Sequence, residues 1–486
     1  MATSISGVGS LSSAGLGSGL DVNSIVASLM AVEARPLDML KSQAKDLDSQ
    51  ISTFGKLQSF FSVLRDKSNA LTSTSLWNGT TATSGDATAV KVTSGAAAAA
   101  GSYQVNVSTL AKAQTLTASA AASSTFNEGS ITIELGAWTG DPIDTFTAKA
   151  SSVPVTIDIG AGETSIEAVR DKINGAGAGV IASIVNDASG ARLSIRSKDT
   201  GLENGFRITT VETVGDADAT AGLSALDYDP AGGLTQMTAA QQASNATLTV
   251  NGIAISSASN TLVDVVDGLT LNLMKTTASP VDVSVAVDTE TVKTKVTEFV
   301  TAFNDLANFM RTQMAYNADS KTGGALQGDR AAVSLLNQLR GVINVESSAS
   351  GTWTRLSEVG ISMKGDGTLA IDSTKLGNGL ANLPELKKLL ATDGADTASS
   401  GFIRRFKELA DAALGSEGTF ENRNASLKEM LSRNGKNQDA YEVRLAQTEA
   451  RLRRQYTALD ATMSQLNGLS SYLGQQLKSL NINTQA

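Results

Sequence analysis

Residues capable of catalysis are scarce in this sequence. None of its 486 residues is cysteine or histidine, which excludes a thiolate nucleophile, an imidazole base, a Ser-His-Asp triad and a zinc site with Cys or His ligands. Carboxylate or lysine chemistry and an oxygen-ligated calcium site remain. Asp366 with Asp372, and Asn317 with Asp319, offer oxygen ligands but lack the spacing of an EF-hand loop. We interpret these polar residues as ordinary turns.

Two glycine-rich stretches offer backbone amides to an anion. A phosphate loop needs a strand before its glycines, but no strand is predicted before 15–19, and 175–179 follows a predicted helix. We interpret the first stretch as a flexible tail and the second as a turn. The arginines of 451–454 lie close to Glu442 and Glu449, which is typical of a solvated helix face. We therefore predict no enzyme activity, no cofactor and no metal site.

Charge and hydropathy limit the classes of partner that the chain is expected to have. Lys and Arg number 39 against 48 Asp and Glu, so the formal net charge is -9 and the pI is near 4.9. Without a strong basic run, nucleic acid is not expected as a partner. No apolar run is long enough to predict an integral membrane segment. Residues 1–15 lack the cationic start and the apolar segment of a secretory signal peptide, so an exported chain would need another route.

The most regular element is a stripe of leucines near the end of the chain. A seven-residue spacing joins six of them, and three other apolar residues follow at four positions: Leu445, Leu452, Leu459, Leu466, Leu473 and Leu480, with Tyr456, Met463 and Leu477. Because seven residues nearly close two helical turns, this spacing predicts one amphipathic helix from about Gln438 to Ser479. A core helix without functional meaning is the alternative, although the stripe exceeds the usual three turns. The stripe needs an apolar partner.

The N-terminal part of the chain carries a matching stripe. Asp21 or Asn23 can cap a first helix, which should break or kink at Arg35-Pro36. In the helix that follows, a seven-residue step is kept by Leu40, Leu47, Phe54 and Phe61. We infer that the helices of roughly 22–74 and 402–480 pack together across a large inserted middle.

The middle of the chain has the patterns of β-structure. Alternating apolar residues predict strands near 89–92, 103–107, 131–135 and 155–159. Asn251-Gly252 lies between two such runs and predicts a tight hairpin.

Helical patterns and unpatterned stretches interrupt these strands. One short helix is predicted at 165–174 and another at 261–267, whereas 201–233 is predicted to be loop. At Asp288 the apolar period changes to 3.6, which predicts a helix of about 26 residues.

Together these patterns predict a multidomain α+β fold, with a long helical coiled-coil region built from both chain ends and inserted β-rich domains. We expect five parts: an N-terminal disordered and helical segment at 1–40, a helical leg domain at 41–76 plus 289–455, an inner β-rich domain at 77–125 plus 236–288, an outer β-rich variable domain at 126–235, and a C-terminal helical segment at 456–486.

Several segments, in order along the chain, resemble one known family. They are Leu16 to Asp21, Met30 to Leu37, Gly101 to Val107, Asn251 to Ile253, Asp267 to Leu271, Leu356 to Ile361 and the tail from Tyr456 to Leu477. These segments are similar to those of flagellar filament cap proteins, also called hook-associated protein 2 or the FliD family. The resemblance spans nearly the whole chain and is weakest at 111–160 and 205–240.

This resemblance implies a non-enzymatic protein that forms a homo-oligomeric ring at the flagellum tip and promotes flagellin folding and insertion. It implies an extracellular location, reached through the flagellar type III export system without a cleaved signal peptide. The implied partners are flagellin, hook-filament junction proteins and an export chaperone that binds the C-terminal helix. We expect the assembly or partner interface to include Leu16, Leu20, Asp21, Ile25, Leu29, Leu459, Met463, Leu466, Leu473, Leu477 and Leu480.

Three other functions compete with this interpretation. A surface adhesin would bind mucin or glycan through clustered exposed aromatics, but Trp77, Trp138 and Trp353 are scattered. Another flagellar axial component would polymerise openly, whereas a cap should close into a ring. An enzyme using Asp or Glu would need a paired-carboxylate site, which the sequence does not place.

Overall fold

The computed structural model describes residues 21–119, 126–188, 190–213, 220–319 and 321–482. The chain divides into two compact units. The first, the helical unit, joins residues 1–73 to 289–486, and the second, the β-rich unit, comprises residues 74–288. The predicted α+β multidomain fold, with helices from both chain ends and inserted β-structure, is confirmed.

Ten α-helices are found in the described part of the chain. They are α1 (Val22–Glu33), α2 (Arg35–Thr72), α3 (Thr74–Trp77), α4 (Ile166–Gly175), α5 (Thr289–Met314), α6 (Arg330–Asn344), α7 (Ser373–Ala381), α8 (Leu383–Ala391), α9 (Phe402–Leu414) and α10 (Thr419–Ile482). The predicted change to helix at Asp288 is confirmed by α5, which has 26 residues.

The strands are short, and each pairs with its neighbours in antiparallel fashion. They are β1 (Thr80–Ser84), β2 (Val90–Ser94), β3 (Gly101–Thr109), β4 (Thr115–Thr117), β5 (Gly129–Gly140), β6 (Ile143–Ala148), β7 (Val155–Ile159), β8 (Val180–Asp187), β9 (Gly190–Ser197), β10 (Gly205–Glu212), β11 (Tyr228–Asp229), β12 (Leu234–Thr235), β13 (Thr238–Gln241), β14 (Ala246–Val250), β15 (Ile253–Ser257), β16 (Thr261–Val266), β17 (Leu269–Leu273), β18 (Val281–Val287), β19 (Tyr316–Asn317), β20 (Thr322–Gly323), β21 (Ile361–Met363) and β22 (Leu369–Ile371).

The first two helices begin and end where the sequence predicts. Asp21 caps α1, since its Oδ1 accepts from the Ser24 N–H at 3.0 Å. The predicted break at Arg35-Pro36 is confirmed, because α1 ends at Glu33 and α2 begins at Arg35. Pro36 lies in the first turn of α2, where its missing N–H needs no intrahelical partner.

Aromatic rings fill the core of the helical unit. The rings of Phe54 and Phe61 on α2 contact Phe420 on α10, at centroid distances of 6.4 and 5.2 Å. Phe299 on α5 and Phe406 on α9 lie 5.3 Å apart. All five side chains are buried. Helices from both chain ends therefore pack together, as the matching stripes predict.

Helix α10 starts earlier than predicted, at Thr419 rather than near Gln438. Phe420, Leu427 and Asn434 keep a seven-residue spacing and are buried against the rest of the unit. The sequence did not reveal this stretch because its third buried position is polar and charged residues surround it. With 64 residues, α10 is about 96 Å long at 1.5 Å per residue.

The β-rich unit contains two hydrophobic cores. One is formed by the five-stranded sheet β1-β18-β3-β14-β15 and the three-stranded sheet β16-β17-β2. The other is formed by a six-stranded sheet of β5, β6, β7, β10, β11 and β12, a four-stranded sheet β13-β4-β9-β8, and helix α4. The predicted hairpin is confirmed: Asn251 and Gly252 connect β14 to β15 with φ angles of 49° and 81°, as a turn of this hand requires.

Two secondary-structure predictions were wrong. Most of the range 261–267 forms strand β16 (Thr261–Val266) rather than a helix, and β16 pairs with β17. A bulge with Asp264 at a φ of 55° interrupts the strand and hides its alternation. The range 201–233, predicted as loop, contains β10, which pairs with β5 along eight residues and buries Phe206 and Ile208.

Candidate assembly surface

An exposed apolar face on the last third of α10 is the candidate functional site. Seven large side chains between 459 and 477 are 36 to 65% exposed. Described side chains from 461 to 473 are all exposed. We call the seven residues the tail face: Leu459, Met463, Leu466, Leu469, Tyr472, Leu473 and Leu477. A contiguous exposed apolar surface of this kind marks an interaction site.

The helical unit covers the leucine stripe only up to the start of this face. Leu445, Leu452 and Tyr456 are half-buried, and α1 packs against this part of α10. Arg453 Nη1 donates to Asn23 Oδ1 at 3.0 Å, close to the end of the covered stretch. Further back, Lys41 pairs with Glu442. The helices α1 and α2 thus run antiparallel to α10.

The tail face is wider than the leucine stripe. At 100° per residue, Leu469 and Tyr472 lie about 60° and 120° to one side of Leu466, and Met463 lies about 60° to the other. The apolar side chains therefore cover about half of the helix circumference. The seven-residue spacing did not predict Leu469 and Tyr472, because neither falls on the stripe.

Charge is almost absent from this part of the helix. Between 455 and 477 the sequence has one charged residue, Asp460, whereas 419–454 contains thirteen. This part of the helix therefore lacks the charged face that a surface helix of a globular protein normally turns to solvent. The lack of charge was visible in the sequence and could have identified the wider face.

The predicted interface residues fall into three groups in the structure. Asp21, Ile25 and Leu29 lie on α1, with Asp21 at its cap, Ile25 half-buried and Leu29 38% exposed. Leu16 and Leu20 lie outside the described residues, and only the backbone of Leu480, within α10, is described. The predicted residues from Leu459 to Leu477 all belong to the tail face, which is a surface and not a closed pocket.

The polar residues considered as calcium ligands are engaged in turns and caps. Asp366 Oδ1 accepts from the Thr368 N–H at 2.9 Å and from its hydroxyl at 2.6 Å. Asp372 caps α7 through the Thr374 and Lys375 amides. Among the described residues, no three acidic side chains are grouped closely enough to hold a metal ion.

None of the described helices combines the length and the apolar character that crossing a bilayer requires.

Three models of known families match parts of the chain. Residues 18–114 match the family model of the flagellar hook-associated protein 2 N-terminus, and 243–468 match that of its C-terminus. Residues 145–199 match the flagellin hook IN motif.

Known relatives align over nearly the whole chain. Flagellar hook-associated protein 2 of Escherichia coli K12 is 32% identical over 479 residues, covering 96% of this chain and 98% of the relative. A-type flagellar hook-associated protein 2 of Pseudomonas aeruginosa is 29% identical, covering 96% and 97%. The crystal structure of the D1-D2-D3 domains of the flagellar cap protein FliD from Escherichia coli matches with a TM-score of 0.60 at 30% identity, covering 77% of this chain and 99% of that one. The chain belongs to the flagellar hook-associated protein 2 family.

Proposed function

We propose that this chain is a subunit of the flagellar filament cap, an oligomeric ring at the filament tip that promotes the folding and insertion of flagellin. Similarity along 96% of the chain to a protein named flagellar hook-associated protein 2 supports this proposal. The likeness to a solved flagellar cap protein supports it as well. The relatives reported above are named as hook-associated or cap proteins and not as enzymes.

The tail face is the observation that carries the proposal. Its side chains are about half exposed, so their full burial would contribute about 1 kcal/mol each, or about 7 kcal/mol in total. Association costs about 4 to 15 kcal/mol in lost rigid-body freedom. The gain from one tail face falls within the range of this cost, so docking of a single chain would be marginal. A ring overcomes this limit, because it presents several tail faces to the filament at once.

The same face would serve three kinds of partner in turn. In the cell, an export chaperone would cover the C-terminal helix and keep its apolar side chains from associating. At the filament tip, hook-filament junction proteins and then flagellin would replace the chaperone. We place the assembled protein outside the cell, after export through the flagellar type III system.

The five predicted parts acquire roles in this proposal. The segment 41–76 plus 289–455 would form a leg, which 1–40 and 456–486 extend toward the filament. The inner domain, 77–125 plus 236–288, and the outer domain, 126–235, would form the plate of the ring. The two hydrophobic cores of the β-rich unit support an inner and an outer part, but Leu116, Ala118 and Met237 of the inner ranges belong to the core of the outer part.

A double substitution in the tail face tests the proposal. Leu466→Asp with Leu473→Asp places two charges on the apolar stripe, so we expect loss of ring assembly and of motility. Both side chains are more than half exposed, so the chain should still fold. Particle mass by light scattering, negative-stain microscopy, and motility of a strain that carries only this variant are the measurements.

A matched pair on the same helix provides the control. Val443→Asp with Ala450→Asp also adds two charges seven residues apart, at exposed positions in the charged part of α10. We expect this control to assemble normally. Unchanged ring mass and normal motility in the tail-face variant would refute the proposal, and long open fibres from the unaltered chain would favour another axial component.

The adhesin alternative gains no support from the aromatic residues. Trp77 and Trp138 are buried, at 4 and 6% exposure, and Trp353 is half-buried in the helical unit. The described tryptophans therefore do not form an exposed cluster on which a sugar ring could stack.

A further inference from the structure

A small pocket in the helical unit has a positively charged rim and an apolar floor. It has a volume of about 260 Å³ and lies among the end of α5, the middle of α6 and the turn between β21 and β22. Its floor is formed by Ala307, Met314 and Leu336, and its rim carries Arg311 and Arg340. This volume suits a single side chain and is below that of most cofactor sites.

Arg340 is an exposed cation that has no counter-ion among the described residues. In the described part of the chain its guanidinium has no hydrogen-bond acceptor and no ion-pair partner. It lies over the β21–β22 turn, where a Cβ on Gly367 would be 3.4 Å from Arg340 Nη2. Gly367 has a φ of 84°, a left-handed conformation that favours glycine. The turn thus brings its backbone close beneath the guanidinium.

The neighbouring charges do not neutralise this rim. Asp366 is the one carboxylate that lines the pocket, and its Oδ2 lies 3.6 Å from Arg311 Nη1. Hydrogen bonds from Thr368 have the largest effect in lowering the pKa of Asp366. The positive charges of Arg311 and Lys364 lower this pKa further. Arg311 and Arg340 thus face one carboxylate in the lining, and Lys364 acts on that same carboxylate, so the rim keeps a net positive charge.

We propose that this pocket binds an acidic segment of a partner protein, in which an aliphatic residue precedes an aspartate or glutamate. The aliphatic side chain would lie on Met314 and Leu336, and the carboxylate would accept hydrogen bonds from Arg311 and Arg340. A planar guanidinium matches a carboxylate with two parallel hydrogen bonds. Charge complementarity selects an anionic segment, and the proposal does not depend on the cap function.

The probe is the synthetic peptide acetyl-Ala-Leu-Asp-Ala-amide, measured against full-length protein with ¹³C-methyl methionine. The methyl signal of Met314, assigned with Met314→Leu, should shift to saturation at millimolar peptide concentration. The neutral isostere with Asn in place of Asp should bind about tenfold more weakly, because a charged hydrogen bond is lost. Arg340→Gln should cause a similar loss, and Arg340→Lys a smaller one, since lysine keeps the charge without the fork.

Arg433→Gln is the matched control, because Arg433 is an exposed arginine on α10 that pairs with Glu429. It should leave the peptide titration unchanged. The proposal is overturned if the Met314 signal does not move, if the Asn peptide binds equally well, or if Arg433→Gln has the same effect as Arg340→Gln. An altered particle mass of Arg340→Gln, together with no response to the peptide, would overturn it in favour of a second copy in the pocket.

Discussion

Arg405 is a buried cation at the start of α9, and its replacement tests how the helical unit is held together. Its side chain is 3% exposed. The guanidinium lies 4.8 Å from the centre of the Phe402 ring. It donates to four backbone carbonyls, each at 3.1 Å, those of Val345, Glu346, Ala398 and Ser400. Burial lowers the pKa of Arg405, but a guanidinium stays protonated in proteins.

The cost of removing this side chain depends on which carbonyls lose their last donor. The carbonyls of Ala398 and Ser400 each accept another hydrogen bond, from Ser348 and Ser347 at 2.9 Å. The other two carbonyls have no second donor within the described ranges. These two acceptors are part-buried and belong to exposed residues, so leaving them without a protein donor costs about 1 to 1.5 kcal/mol each, at the low end of the range for an unpaired group. Because methionine restores most of the apolar volume, we expect Arg405→Met to lower the free energy of unfolding by about 3 kcal/mol.

The measurement is hydrogen exchange at increasing urea concentration, which reports the unfolding of the two units separately. Peptides from α9 should lose protection at lower urea in Arg405→Met, whereas peptides from β5 should be unaffected. Arg404→Met is the control, since Arg404 makes solvated ion pairs with Asp393 and Glu408 that are worth at most about 1 kcal/mol. Equal effects of the two substitutions, or no effect of Arg405→Met, would refute the reasoning.

Two further predictions concern one unit each. Three hydrogen bonds, of which the one from Lys388 has the largest effect, lower the pKa of Glu385 from 4.5 to about 2. The ionised carboxylate therefore stabilises the folded helical unit, and this stabilisation should be lost as the pH falls from 4.5 to about 2. Glu385→Gln should therefore reduce the loss of helical-unit stability at acidic pH. A variant whose stability depends on pH in the same way as that of the unaltered chain would contradict this. Gln114→Leu removes the side-chain oxygen that accepts a hydrogen bond from the Phe206 N–H at 2.7 Å. The Phe206 carbonyl still accepts a hydrogen bond from Trp138 Nε1 at 2.9 Å. The free energy of unfolding of the β-rich unit should fall by about 2 kcal/mol. An unchanged urea midpoint for this unit would contradict the prediction.

Elements whose signal is local could be predicted from the sequence. The stripes of α2 and α10 depend on a repeated step that one helix makes visible. The hairpin at Asn251-Gly252 depends on two residues that accept positive φ. In both cases the nearest neighbours along the chain contain the whole physical cause.

Elements that depend on distant partners could not be predicted. Strand β10 is held by eight paired residues of β5, more than 60 positions earlier in the sequence. The bulge at Asp264 shifts the register between Val263 and Val266, so the apolar residues no longer alternate. Helical and strand periods then look alike over so short a run.

The candidate sites show the same distinction. The sequence placed five residues of the tail face, Leu459, Met463, Leu466, Leu473 and Leu477, by their spacing. Leu469 and Tyr472 were missed because they widen the face beyond one stripe. The pocket at Arg340 combines α5, α6 and the β21–β22 turn, three segments that only the tertiary fold brings together.

The continuity of α10 explains how a charge-poor segment can be helical while it is exposed. A helix of some 25 residues with few ion pairs is marginal alone, because its first turn is costly to nucleate. Packing of Phe420, Leu427 and Asn434 fixes the earlier part of the same helix, so the tail only has to propagate it. The tail face is thus presented in helical form before it meets a partner. Less conformational entropy is then lost on assembly, which favours a surface whose apolar free energy alone is modest.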